Sequence, residues 1–110
     1  MSCIEVVRIA CKAGKGDEFQ ERLKRGLGVQ AKDPECLRIW FERCMEKPDE
    51  FLLHLVWTSI AAHDAWRAAH REEWRVHIMD MIEGLPNPIG HYQLVSEVKK
   101  PGGAASHRTG

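Results

Sequence analysis

His63, Trp66, His70, Trp74, His77 and Met81 recur at spacings of three or four residues. At 100° per residue they fall within a band of about 80° on one helix face. Tryptophan and methionine at that spacing ordinarily pack against a core. Imidazoles in the same stripe need hydrogen-bond partners when buried, so three of them point to a polar-lined cavity. Histidine, with an unperturbed pKa of ~6.5, is the natural general base near neutrality. Indole rings stack flat polycyclic molecules and donate an N–H. A base beside stacking walls suits proton abstraction from an aromatic substrate.

The same spacing argues against a metal. His63, His70 and His77 repeat every seven residues, about 10.5 Å of helical rise per step. Zinc needs ligand nitrogens at ~2.0–2.1 Å, so no two of these can share an ion within a straight helix. There is no HExxH pattern, and Cys3, Cys11, Cys36 and Cys44 contain no CxxC pair. No metal site is expected, and the cysteines read as reduced thiols.

Several elements must position that stripe. Cys3 to Cys11 is rich in β-branched residues and reads as a strand. Gly14-Lys15-Gly16 breaks it. A helix follows from Asp17-Glu18, whose charges suit a helix N-terminus. Phe19, Leu23 and Leu27 form its apolar face, and Gly26 and Gly28 are expected to end it. Leu37 to Met45 is a second strand, with Leu37, Ile39 and Phe41 on one face and Arg38, Trp40 and Glu42 on the other. Lys47-Pro48-Asp49 is a turn. Phe51 to Trp57 is a third strand, apolar on both faces: Phe51, Leu53, Leu55 and Trp57 point one way, Leu52, His54 and Val56 the other. Thr58 to Glu83 has neither Gly nor Pro and reads as helix, capped by Ser59 or Thr58, with one break expected between His70 and Glu73. Gly84-Leu85-Pro86-Asn87-Pro88 ends it, and Ile89 to Val98 is a fourth strand. The Gly-rich, polar segment 99–110 reads as a flexible tail after one domain over 1–98.

The order β-α-β-β-α-β is the ferredoxin-like α+β plan, with an antiparallel sheet and both helices on one face. Leu52, Val56 and Trp40 make the bare face too apolar to stay in water. A second copy of the same sheet is the simplest cover, so a homodimer through the open face is expected. His54 falls inside that interface. Lys+Arg and Asp+Glu balance at 16 each, which leaves no basic excess for nucleic acid or an anionic membrane. No apolar run approaches the ~20 residues of a membrane span, and Met1 to Glu5 shows no signal-peptide pattern. A cytoplasmic protein with a small-molecule partner is expected.

The chain resembles the antibiotic biosynthesis monooxygenase family of dimeric α+β barrel proteins. The resemblance lies in KAGKGDEF at the entry to the first helix, in Pro34-Glu35-Cys36-Leu37, and in the Lys47-Pro48-Asp49 turn. Its strongest mark is FLLHLVWTS from Phe51 to Ser59, followed by Ala62. Glu35 stands where the family usually has glycine. Some members oxygenate polycyclic aromatics without metal or cofactor; others bind and degrade haem.

The cofactor-free comparison makes Trp57 the strand-end pocket tryptophan. Leu53 stands at the place of a polar residue, and His63 at that of an aromatic one. It implies His70 or His63 as the base, with Trp57 and Trp66 as walls and Trp74, His77, Leu53 and Val7 completing the substrate pocket. The haem comparison places Trp66 at the family's helix tryptophan and His77 about one residue from its axial histidine. Val7 replaces that group's strand-one asparagine. The expected function is a cofactor-independent monooxygenase of an aromatic or quinol-like molecule. A haem-binding or haem-degrading monooxygenase, with haem held by His77, and a non-catalytic dimeric ligand-binding module are the alternatives.

Overall fold

The structure is a computed structural model that describes residues 1–102. Most of the expected tail, with His107, lies outside the described residues. The elements are β1 (Cys3–Ala10), α1 (Gly16–Gln30), β2 (Cys36–Arg43), β3 (Glu50–Trp57), α2 (Ile60–Arg75) and β4 (Asn87–Tyr92). The four strands form one antiparallel sheet in the order β2-β3-β1-β4, which is the ferredoxin-like plan expected from the sequence. Among the described residues, no helix is long and apolar enough to cross a membrane.

Strand parity sets the two sheet faces. Cys3, Val7 and Ile9 of β1 pair with Trp57, Leu53 and Phe51 of β3. All six are buried and pack with Phe19, Leu23 and Leu27 of α1 and Trp66 of α2. Both helices therefore cover this face. Ile4, Val6 and Arg8 lie on the other face beside Val56, His54 and Leu52. There the Trp40 and His54 rings stack at 4.6 Å, the Arg38 guanidinium lies 4.7 Å from the Trp40 ring, and His54 Nε2 meets Glu42 Oε1 at 2.9 Å.

The helix starts are held differently. The α1 start has no side-chain cap of its own. Instead Asp49, from the β2–β3 turn, accepts from the backbone N–H groups of Gly14 and Gly16 at 3.0 and 3.1 Å. A carboxylate there also faces the positive end of the helix dipole. Gly16 is required by space: a Cβ would meet the Arg43 guanidinium and would sit 2.6 Å from the Pro48 carbonyl oxygen. The α2 start is capped by Ser59, whose hydroxyl accepts from Ala62 N–H at 3.0 Å. Thr58 instead donates its hydroxyl to Glu35.

Four expectations from the sequence are corrected. Gly26 and Gly28 do not end α1, which runs to Gln30. Gly26 allows close helix–helix approach, because a Cβ there would lie 3.3 Å from the Trp74 carbonyl oxygen. The ~1 kcal/mol propensity cost of glycine is offset by that contact. Second, Leu37 is exposed, because a bulge between Cys36 and Arg38 turns it out of the ladder; Cys36 packs against the core instead. Burial pushes the Cys36 thiol up to about 11.

Third, α2 stops at Arg75 rather than breaking between His70 and Glu73. The next residues tighten into short turns, with Ile78 N–H and Met79 N–H both donating to the Arg75 carbonyl. This buries Ile78, Met81 and Ile82 and lets Ile82 bridge Cys11 while Lys12 N–H donates to the Met81 carbonyl. Arg22 fastens the segment, donating to the His77 carbonyl and to Asp80 at 3.1 and 3.0 Å. That hydrogen bond holds the Asp80 carboxyl below the usual carboxylate range. Fourth, β4 covers Asn87–Tyr92 only, and Leu94, Val95 and Val98 are exposed.

Candidate active site

Glu5 is the one carboxylate on the helix-covered face of β1, in phase with Cys3, Val7 and Ile9. Its direct partner on β3 is Leu55 and its partner on β4 is His91. Trp57 is its diagonal neighbour across β1–β3, a position within reach of a long side chain. Trp57 Nε1–H donates to Glu5 Oε1 at 2.9 Å. His63, in the first turn of α2, lies above them and stacks on Trp57 with ring centroids 5.1 Å apart. Its Nε2 is 3.2 Å from Glu5 Oε2, and its Nδ1 is 2.7 Å from His91 Nε2. The Glu5 and His63 side chains are only 14% and 7% exposed, so the carboxylate is shielded from water.

This geometry orders the protons. Trp57 can only donate, and an ionised carboxylate can only accept. Glu5 therefore favours the form of His63 that carries a proton on Nε2. The Nδ1 lone pair of neutral His63 then accepts from His91 Nε2–H, and the remaining lone pair is His91 Nδ1. A proton taken up at His91 Nδ1 can be matched by transfer of the Nε2 proton to His63. The positive charge then rests beside Glu5. This is the logic by which a buried carboxylate orients an imidazole and stabilises its imidazolium, here with two imidazoles in series.

The group opens on a cavity of about 190 Å³. Glu5 and Val7 of β1, His63, Trp66 and Trp74 of α2, and Pro88, Gly90 and His91 of β4 line it, with His91 meeting His63 directly. Gln30, from the last turn of α1, and Arg67, Arg71 and Arg75 of α2 complete the lining. The mixture of flat apolar rings and few polar groups is typical of small-molecule pockets.

Of the residues expected at the site, Val7, His63, Trp66 and Trp74 meet at this cavity. Trp57 and Leu53 are buried behind it; Trp57 acts on the cavity through Glu5, and Leu53 sits in the core between Val7 and Phe41. His70 stands outside the cavity. Its side chain is 45% exposed and its Nδ1 is 2.7 Å from Glu73 Oε2. His77 falls in the turns after α2, away from the cavity lining. The haem reading thus loses its expected ligand, and Val7 supplies no polar group in its place. Among the described residues, no cluster of three or more His, Cys, Asp or Glu side chains is arranged to hold a metal ion.

Glu5, Gln30 and His91 were not singled out from the sequence. Glu5 alone carried a usable signal there, as an acidic residue in phase with the apolar face of a strand. His91 had none, because its role depends on pairing between the edge strand β4 and β1.

The sequence pattern of the family described as antibiotic biosynthesis monooxygenase matches residues 2–77. No curated protein sequence matches the chain. Among solved structures, one from Bordetella bronchiseptica superposes with a TM-score of 0.77 at 21% identity, covering 86% of this chain and 98% of that one. One from Nitrosomonas europaea gives 0.71 at 18% identity, covering 83% and 88%. Both are named for antibiotic biosynthesis monooxygenases. SnoaB, a cofactor-independent oxygenase from Streptomyces nogalater, gives 0.73 at 17% identity, covering 90% and 98%. At these identities the superpositions establish a shared fold.

Proposed function

The chain belongs to the antibiotic biosynthesis monooxygenase family, and on that premise we propose that it is a cofactor-independent monooxygenase of an aromatic or quinol-like small molecule. The observation that carries this reading is the Glu5–His63–His91 chain opening on a cavity walled by Trp66 and Trp74. SnoaB, with the same fold, is described as working without a cofactor. The substrate stacks on the indole rings and gives a proton to His91, with His63 and Glu5 sharing the resulting charge. The electron-rich anion then transfers an electron to dioxygen, and the two radicals combine. For an anthrone-type CH₂, loss of water from the hydroperoxide leaves a C=O, so one oxygen atom enters the product and the other leaves as water. The protein's part is the base, the orientation of the ring and exclusion of bulk water.

The test is oxygen consumption by purified protein on anthrone-like and hydroquinone substrates, with chelator present and no flavin, haem or metal added. Incorporation of one ¹⁸O atom from ¹⁸O₂ into the product per O₂ consumed, with no hydrogen peroxide released, is the expected result; peroxide without incorporation would mean plain oxidation. Ring binding without oxygen uptake would replace this reading with a non-catalytic binding module.

We further propose that the working unit is a cytoplasmic homodimer closed through the helix-free face. Leu52 and Val56 are already half-buried there in the single chain, and Tyr92 and Leu94 extend the apolar area. The four free thiols suit a reducing compartment. Sedimentation at micromolar concentration should give twice the 12.6 kDa chain mass, and a stable monomer would remove the dimer.

A further inference from the structure

The cavity lining is charged unlike the chain that builds it. The whole sequence carries a formal net charge of +0. The cavity brings together Arg67, Arg71 and Arg75 against a single carboxylate, Glu5. Glu5 is already committed to Trp57 and His63, so it does not neutralise the arginines. Arg75 has an ordinary explanation, since a cation in the last turn of α2 complements the helix dipole. Arg67 and Arg71 sit further up the helix and have no such role. Arg71 reaches only Glu72, at 3.6 Å. Arg67 has no ion-pair or side-chain hydrogen-bond partner among the described residues.

Gln30 is an independent observation. It is 4% exposed and lines the same cavity. Its backbone carbonyl accepts from Asp33 N–H, but its side-chain amide has no hydrogen-bond partner among the described residues. A buried amide left unpaired is costly, so its position calls for a polar ligand group. The amide N–H₂ and the guanidinium groups are all donors, and a planar anion with several acceptor oxygens satisfies such a set.

We propose that the substrate is an aromatic carboxylate, with its ring against Trp66 and Trp74 and its carboxylate on Arg67, Arg71 and the Gln30 amide. This rests on the oxygenase reading for the word substrate, and on the cavity alone for the ligand chemistry. The charge is held on the α2 side, while the Glu5–His63–His91 chain meets the substrate at the sheet. The same arrangement orients the ring so that one edge faces the base.

Quenching of intrinsic tryptophan fluorescence tests this with a matched pair of probes, anthraquinone-2-carboxylate and its methyl ester. The wild-type protein should bind the acid about ten-fold more tightly than the ester. Arg67→Gln and Arg71→Gln should each reduce that preference, and the double variant should abolish it while ester binding stays unchanged. Gln30→Glu, which puts a carboxylate where the amide donates, should reverse the preference. Equal binding of acid and ester by the wild type, binding of neither, or a preference that survives in the double arginine variant would overturn the proposal. A carboxylate preference without oxygen uptake on any quinol would defeat the oxygenase reading and leave this inference standing. Uptake without the preference would do the reverse.

Discussion

His63→Phe is expected to lower oxygen-uptake turnover by about 10²–10⁴-fold, the usual contribution of a positioned general base, because the proton-accepting His91 then has no partner to carry its charge to Glu5. Phenylalanine keeps a flat ring on Trp57 but ends the path from His91 to Glu5. Glu5→Gln should lower turnover too, because the amide no longer selects the His63 proton position or balances the positive charge. If the three groups act as one chain, the double variant will be little worse than His63→Phe alone, since residues acting as a unit are not additive. His70→Ala is the control. Its side chain pairs with Glu73 outside the cavity, so turnover should stay close to wild type. Loss of activity in His70→Ala with retention in His63→Phe would move the base out of the Glu5–His63–His91 chain and onto His70.

The largest stability loss is expected at Trp57. It is fully buried, stacks on His63, packs at 6.0 Å from Trp66, and donates its indole N–H to Glu5. Trp57→Ala should cost about 3–5 kcal/mol, from lost burial and the cavity left behind. That is a large part of the ~5–15 kcal/mol that holds a domain folded, and corresponds to a fall of roughly 12–20 °C in Tm for a domain of this size. Trp57→Phe separates the two roles of the ring. It retains most of the apolar contact and loses the donor, which leaves Glu5 Oε1 unpaired at about 1–3 kcal/mol. Calorimetry on both variants distinguishes them; equal losses would mean that the hydrogen bond to Glu5, not packing, dominates at this position.

Much of the site was legible in the stripe from His63 to Trp74, because the period of a helix is local. Val7, His63, Trp66 and Trp74 carry their placement in their phase. The same reasoning failed at His70 and His77 for two different reasons. By phase His70 lies in the middle of the stripe of about 80°, yet its side chain is 45% exposed: helix phase sets the direction of a side chain, not whether another element covers that turn. His77 follows the helix phase only if the helix continues, and it does not. Arg67 and Arg71 are exposed on α2, as charged helix residues usually are. They join the cavity only where α1 contributes Gln30 and the Pro86–Gly90 segment closes the other side.

The sequence by itself determined the order of elements, the two faces of β3, the apolar faces of the helices and the family. The first three follow from local periodicity, turn residues and caps, which act over a few residues; the family follows from the resemblance of the motifs between Lys12 and Ala62. Tertiary structure alone decided where α2 stops, because burial of Ile78, Met81 and Ile82 against the end of β1 outweighs helix propensity over the segment. It also decided that α1 passes through Gly26, where the gain is a close approach to α2. Above all it decided the chemistry. Glu5, His63 and His91 come from the first strand, the second helix and the last strand, and only sheet pairing and helix packing bring their nitrogens and oxygens within bonding distance.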